Sequence, residues 1–181
     1  MQNAQRTIHA STSRRAMSKR NLMIAAAVVV VAIGWYLFRP ELLFVSHSVS
    51  EAFPDTASRQ VTASTTAPIA LSQGQFHGVA HDAKGVATLY QLPDGERVLR
   101  FTKFETSNGP DVQVYLVAAT DANDNETVTK AGFIHLGALK GNVGDQNYTV
   151  PTDVDLSKYQ AVTIWCRRFG VNFGTAPLQR S

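Results

Sequence analysis

The sequence predicts an all-β fold, an antiparallel β-sandwich or small barrel, preceded by one transmembrane α-helix. Residues 22–38, LMIAAAVVVVAIGWYLF, carry no charge. Beyond residue 72 the chain breaks into short runs separated by turn residues, with no helical period sustained beyond a turn or two. Between these regions lies a stretch marked by Pro40, Pro54 and Pro68. The organisation that follows is a basic cytoplasmic tail (1–21), a transmembrane signal anchor (22–38), a stalk or linker (39–71) and a β domain (72–181).

Charge separates along the same boundaries. Residues 1–39 hold six Lys/Arg and no Asp/Glu, whereas residues 40–181 hold eleven basic and fourteen acidic side chains. The pI of 9.2 therefore reflects topology and gives no reason to expect a nucleic-acid partner. A single cysteine excludes an intrachain disulfide framework and cysteine-cluster metal sites.

Seventeen helical residues rise roughly 26 Å, just enough to span a bilayer. Arg14, Arg15, Lys19 and Arg20 flank one end, and Trp35 and Tyr36 lie near the other. This polarity predicts a single-pass protein of the cell membrane, with its N-terminus cytoplasmic and its C-terminal domain periplasmic or extracellular. The apolar core runs directly into Trp-Tyr-Leu-Phe-Arg-Pro with no small-residue cleavage site, which favours an uncleaved anchor. Ser13-Arg14-Arg15-Ala16-Met17-Ser18-Lys19 also resembles a twin-arginine export signal, and the Arg-rich, acid-free tail also fits a transit peptide.

The stalk has a Ser/Thr/Ala-rich run at 58–67, and as a flexible tether it has a span of roughly 30 Å. Leu42, Leu43, Phe44, Val45, Val49 and Phe53 are too apolar for an inert tether. They either lie along the membrane interface or pack onto the outer domain.

In the outer domain the expected strands are 73–79, 85–92, 96–104, 112–119, 133–139, 147–150, 161–166 and 169–173. Pro93-Asp94-Gly95 makes a tight hairpin, and Ser107-Asn108-Gly109-Pro110-Asp111 launches the following strand. Val112, Val114 and Leu116 alternate with Gln113, Tyr115 and Val117, the pattern of a strand with one well-buried face.

The segment 162–173 is the most informative for chemistry. Val162, Ile164 and Cys166 share one face, but Phe169, Val171 and Phe173 have the opposite parity, so a bulge, bend or turn must lie at Arg167-Arg168. Cys166 then falls at the rim of the core, where Arg168 can share its face and favour the thiolate. Free cysteines also commonly serve as small core residues. His77 and His81 are about 13 Å apart in an extended segment, too far to chelate one metal. His81 and His135 are otherwise surface or hydrogen-bonding histidines. No metal site is expected. Residues 121–126 imitate the start of a calcium loop, but position six lacks glycine and no flanking helices are expected, so the segment reads as a polar turn. Asn125-Glu126-Thr127 and Asn147-Tyr148-Thr149 are glycosylation sequons. The absence of nucleophile-elbow, P-loop, zinc-protease and dinucleotide motifs weighs against an enzyme.

Gly74-Gln75-Phe76 with His81 and Gly85, then 95–101 (GERVLRF), then 104–116 (FETSNGPDVQVYL) resemble the DM-thirteen domain, also called the electron-transfer DM-thirteen domain. Leu136-Gly137, 141–148 (GNVGDQNY), 162–169 (VTIWCRRF) and 173–178 continue the resemblance, which covers roughly residues 72–178. Its two most specific parts are the turn Asn108-Gly109-Pro110-Asp111 and the segment Trp165-Cys166-x-x-Phe169. The resemblance implies a β-rich periplasmic or extracellular module, found in animal and plant proteins beside DOMON and b-type cytochrome domains. Its cysteine, Cys166 here, is proposed to act as a redox thiol or as ligand to a group such as haem; the reading of the residues themselves adds Arg168 to tune the thiol, Trp165 beside it, and His81 or His135 as a candidate for a haem or metal role. This chain has no DOMON or cytochrome partner domain.

Two functions are therefore expected. One is a membrane-anchored redox or electron-transfer module that meets the bilayer through residues 22–38 and an unidentified extracytoplasmic partner through Cys166. The other is a non-catalytic binding or scaffold module in which Cys166 only packs.

Overall fold

The computed structural model describes residues 18–38, 45–54 and 67–180, which fall into two compact units divided after Phe38. The expectations placed on residues 1–17, 39–44, 55–66 and 181, including most of the twin-arginine segment and of the Ser/Thr-rich run, lie outside the described residues.

The first unit is helix α1, Lys19–Phe38. Ser18 caps it: its carbonyl accepts from Leu22 N at 3.0 Å and its hydroxyl from Asn21 N at 3.3 Å. The helix thus starts three residues before the apolar run, and it is long and apolar enough to cross a membrane. Its apolar side chains, from Leu22 through Val28 to Trp35 and Tyr36, are exposed on every side. A helix without a polar face is not the pattern of a soluble surface helix.

The second unit contains eleven strands and one short helix among its described residues. In chain order these are β1 (Ser48–Ser50), β2 (Ile69–Gln75), β3 (His77–Gly78), β4 (Ala83–Gln91), β5 (Arg97–Thr106), β6 (Val112–Val117), α2 (Asn125–Ala131), β7 (Phe133–Ala138), β8 (Val143–Val150), β9 (Ala161–Cys166), β10 (Val171–Pro177) and β11 (Gln179–Arg180). They build a sandwich of a six-stranded sheet, β1-β8-β5-β4-β2-β11, and a five-stranded sheet, β3-β10-β9-β6-β7. Pairing is antiparallel except between β1 and β8. The structure settles the barrel alternative: the two sheets do not close.

One core lies between the sheets. Leu89, Leu99, Phe101, Phe104 and Tyr148 face Val114, Leu116, Val162, Ile164 and Phe173 across it. The single strand expected over 73–79 is broken at Phe76, where the chain leaves the first sheet for the second. The Phe76 ring fills the corner, 4.9 Å from the rings of both Phe101 and Phe104.

Three local expectations need correction. The strand expected over 147–150 starts at Val143, and that expected over 169–173 starts at Val171. The strand 112–117 is buried on both faces rather than one. Its second face meets α2 and Ala122, because the segment read as a polar turn carries a helix start: Asp124 Oδ1 accepts from Thr127 N at 2.6 Å and caps Asn125–Ala131. Val128 and Ala122 then pack on Tyr115, Val117 and Trp165.

Of the apolar stalk residues that are described, Val49 and Phe53 pack onto the β domain, whereas the Val45 side chain is exposed. β1 adds a parallel strand to the edge of β8. Gly144 makes this approach feasible, since its φ of +107° disfavours an L side chain and a Cβ there would lie 2.0 Å from Val49 O. His47 N donates to Asn142 Oδ1 at 2.6 Å. Glu51 accepts from Lys140 Nζ at 2.7 and 2.9 Å and from Asn147 N at 2.7 Å. Arg100 donates to Glu51 O, Asn147 Oδ1 and Asp145 Oδ2, and lies 5.8 Å over the Phe53 ring, which meets Tyr90 edge-on. Both sequon asparagines are used inside the fold. Asn147 Nδ2 donates to Ala52 O at 2.8 Å, and Asn125 Oδ1 accepts from Asn172 N at 2.7 Å.

Gly144→Ala is expected to lower stability by about 2 kcal/mol or more by displacing the strap, read as a shift of the urea midpoint of the purified chain. A second test uses pH. Burial pushes the Glu51 carboxyl up, but Lys140, the Asn147 amide and Arg100 together hold it below its ordinary value. A depressed carboxylate stabilises the fold above its unfolded pKa, and that contribution disappears as pH falls through the folded value. Acidification below about pH 4 should therefore loosen the strap. Glu51→Gln should flatten the acid limb of a urea-midpoint series, and an unchanged limb would show that the clamp contributes nothing.

Candidate functional site

Cys166 ends β9, paired with Val112 of β6 and Val171 of β10. Its side chain is wholly buried, in the same cluster as Val112, Ile164 and Phe173. Alternation along β9 sends the neighbouring Trp165 to the opposite face, into the cluster with Tyr115, Val117 and Val128. The two residues expected to act together are thus separated by the sheet itself.

The parity change at Arg167-Arg168 has a simple origin. Residues 167–170 form a turn ending in Gly170 at φ +62°, and a four-residue connection pairs an even-numbered residue, Cys166, with an odd-numbered one, Val171. The expected irregularity is therefore the tip of a hairpin, and a register shift between Asn172 and Gly174 follows within β10. Arg168 lies in this exposed turn while Cys166 points into the core, so they do not share a face.

The turn Asn108-Gly109-Pro110-Asp111 holds this end of the sandwich together. Asp111 O accepts from Arg167 N at 2.9 Å, and Asp111 Oδ2 accepts from Arg167 Nε at 2.9 Å. Asn108 Oδ1 accepts from Gly109 N, while its Nδ2 donates to Val45 O at 2.9 Å, joining the strap to the turn. A Cβ on Gly109 would come 3.0 Å from Phe173 Cζ and 2.9 Å from Val112 Cγ2, so only glycine lets the loop close over the core beside Cys166. Pro110 is half-buried in the same loop.

A polar chain continues from Asp111 across the outer face of the second sheet. Gln113 Nε2 donates to Asp111 Oδ1 at 2.6 Å, and Gln113 Oε1 meets His135 Nε2 at 2.7 Å. Tyr115 lies beside it, stacked on Phe133 at 4.2 Å, edge-on to His135 at 5.5 Å and 6.5 Å from Trp165. Burial pushes the Tyr115 phenol up, Arg167 opposes that shift and Asp111 adds to it. Thr163 Oγ1 and Asn172 Oδ1 lie buried on this face without a hydrogen-bond partner. The sequence reading gave Gln113 and Tyr115 no functional part; their signal was the period-2 series Asp111, Gln113, Tyr115, which places three polar or amphipathic side chains on one face.

The histidines have separate partners. His77 Nε2 lies 3.1 Å from Asp121 Oδ2, whereas the His81 ring sits 4.0 Å from Phe173. Among the described residues no group of three His, Cys, Asp or Glu side chains is placed to hold a metal ion. Nor do the expected ligands fit a haem: a thiolate ligand needs an open face beside the sulfur, but Cys166 is enclosed by apolar side chains and His81 is committed to Phe173. An open groove of about 650 Å³, lined by residues including Leu71, Arg97, Tyr159, Leu178 and Arg180, contains neither cysteine nor histidine.

The family model described as electron transfer DM13 matches residues 75–178, more than half of the chain, from the last residue of β2 through β10. The chain belongs to the electron transfer DM13 family. No curated relative and no solved structure matches it. Within this DM13 domain the two most distinctive segments, 55 residues apart at Asp111 and Cys166, meet through the Asp111–Arg167 bonds. The segment 141–148 lies largely outside the Cys166 region and receives the strap, whose residues 45–54 precede the family match.

Cys166→Ser should cost about 1–3 kcal/mol of stability, since it buries a hydroxyl among apolar side chains. Urea unfolding of the two proteins measures the difference; an equal midpoint would mean that position 166 is more polar or more open than its enclosure implies.

Proposed function

We propose that this chain is a membrane-anchored, extracytoplasmic electron-transfer module in which Cys166 is the redox thiol. The observation that carries the reading is the electron transfer DM13 match, which runs through the β9–β10 hairpin and includes Cys166. The exposed apolar surface of α1 supports membrane insertion, and the cluster Arg14, Arg15, Lys19 and Arg20 supports a cytoplasmic N-terminus.

Cys166 reacts as a thiolate with a disulfide on an external partner: a bond forms between the two sulfurs while the partner's second sulfur leaves as thiolate. Attack by the partner's own thiolate would only restore its disulfide, and the chain holds no other cysteine, so net transfer uses two equivalents of an external small-molecule thiol: the first attacks Cys166 Sγ and releases the partner as a dithiol, and the second attacks the sulfur now joined to Cys166, leaving the small thiol as its disulfide and Cys166 as thiolate. Access requires the hairpin tip to open. The tip is one residue from Cys166, and the Asp111–Arg167 pair that closes it is exposed on the arginine side, where ion pairs contribute little.

The complete enclosure of Cys166 favours a second reading, a binding or scaffold module with a structural cysteine. One experiment separates them. Intact cells carrying the full chain are treated with a membrane-impermeant maleimide, then permeabilised, then denatured. The electron-transfer reading expects labelling of Cys166 on intact cells, accelerated by Asp111→Asn. Labelling that appears only after permeabilisation would overturn the orientation. Labelling that appears only after denaturation would overturn the thiol's role and leave the binding module.

A further inference from the structure

The geometry points to the hairpin tip 167–170 as a membrane-docking element that seats the Cys166 end of the sandwich on an anionic lipid surface. The inference rests on the membrane-anchored reading of α1. It starts from chain length. Six residues, 39–44, separate the last residue of α1 from Val45, the first described residue of the strap. Seven residue steps span at most about 25 Å even when fully extended. The long flexible tether expected over 39–71 is therefore cut short at 45–54, which leaves six residues of linker before the strap begins at Val45.

That point lies at the hairpin end of the sandwich. Val45 O accepts from Asn108 Nδ2, and three residues further along the same loop Asp111 holds Arg167 through main chain and side chain. The tip reads Arg167-Arg168-Phe169-Gly170, two cations and an aromatic residue, with the Arg167 guanidinium, 61% exposed, paired to Asp111 and the charge of Arg168 adding to it. Phe169 is 51% exposed, unusual for a phenylalanine in a small domain. An aromatic ring beside arginines suits the headgroup boundary, where the ring enters the acyl border and the guanidinium groups meet phosphate. The other end has the opposite character: the loops 92–96 and 151–160 carry Asp94, Glu96, Asp153 and Asp155 against one cation, Lys158. An anionic surface therefore attracts one end and repels the other.

The tether makes weak docking sufficient. Confinement by a short linker corresponds to millimolar effective concentration, and each basic side chain near an anionic surface strengthens binding about fivefold. The docked orientation turns the Cys166 end towards the bilayer, so a redox partner that reaches the thiol past this tip is itself embedded in or bound to the membrane.

The test uses the full chain in lipid nanodiscs. In a Cys166→Ala background, a bimane label is placed at Phe169→Cys or, at the far end, at Thr152→Cys. Quenching by lipids brominated in the acyl chains is compared in phosphatidylcholine discs and in discs that also contain phosphatidylglycerol. Docking predicts about twofold or greater quenching at position 169 with anionic lipid, less at high salt, and none at 152. Hydrogen exchange of the unsubstituted chain provides a second measurement, with amides 167–170 slower in anionic discs than in detergent. Equal quenching at 169 and 152, or unchanged exchange, in a chain firmly inserted in the disc would overturn the docking alone. Protection that required added membrane protein rather than lipid would overturn it in favour of a protein partner. Complete removal of the chain from membranes by alkaline carbonate would overturn the anchor, and the docking with it.

Discussion

Alternation along β9 is the constraint from which the rest of the site follows. β9 lies between β6 and β10, and all six of its residues are buried. Each side chain is therefore committed to one face: Val162, Ile164 and Cys166 to the core between the sheets, and Ala161 and Trp165 to the cluster beneath α2. A one-residue slip would exchange the two sets. It would drive the Trp165 indole into a core already filled by Phe173 and Ile164. The turn 167–170 preserves the arrangement by returning the chain with Val171 opposite Cys166.

Both distinctive family segments can be understood from this commitment. With Cys166 facing inward at the end of its strand, the core needs a lid at that end. The Asn108-Gly109-Pro110-Asp111 turn supplies it, with Gly109 allowing contact with Phe173 and Asp111 holding Arg167. The same turn grips the strap through Asn108. Lid, hairpin and strap thus form one connected set, and a change in Asp111 reaches both the enclosure of Cys166 and the start of the strap. The strap's hold along the edge of the first sheet joins the same set through Asn142, whose Nδ2 donates to Thr106 O just before the turn. It depends on Gly144, Asn142 and the Glu51–Lys140–Asn147 bonds.

Much of the fold was legible because it depends on local pattern. Period-2 runs and Gly/Pro/Asn punctuation located most strands of the β domain, since exposed strand edges and turns leave compositional traces. What remained hidden depended on tertiary partners. The three-residue β1 has no period to detect, and only its fit against Gly144 makes it a strand. The helix α2 is seven residues long, too short to reveal itself by periodicity, although Asp124 followed by Thr127 was a capping signal. Burial of Tyr115 needed knowledge that α2 would bring Val128 into its cluster, and that of Gln113 needed its partners Asp111 and His135. At the site, parity correctly located an irregularity after Cys166, but sequence proximity suggested a partnership with Trp165 and Arg168 that strand geometry does not provide.

The separation of Cys166 from Trp165 also bears on how electrons could reach a buried thiol. The aromatic residues on the outer face, Trp165, Tyr115 and Phe133, form a continuous series with centroid spacings of 6.5 and 4.2 Å, and Phe133 is 45% exposed. Cys166 is bonded through the main chain to Trp165, the inner member of that series. The sulfur–sulfur exchange proposed above requires contact between the reacting atoms, which this aromatic series does not provide. Trp165's ring packs only on the outer face, whereas Asp111 and Arg167 hold the hairpin beside the sulfur and also reach Tyr115 through Gln113 and His135. The geometry thus makes the hairpin clasp, and not the neighbouring tryptophan, the element that closes the core over Cys166.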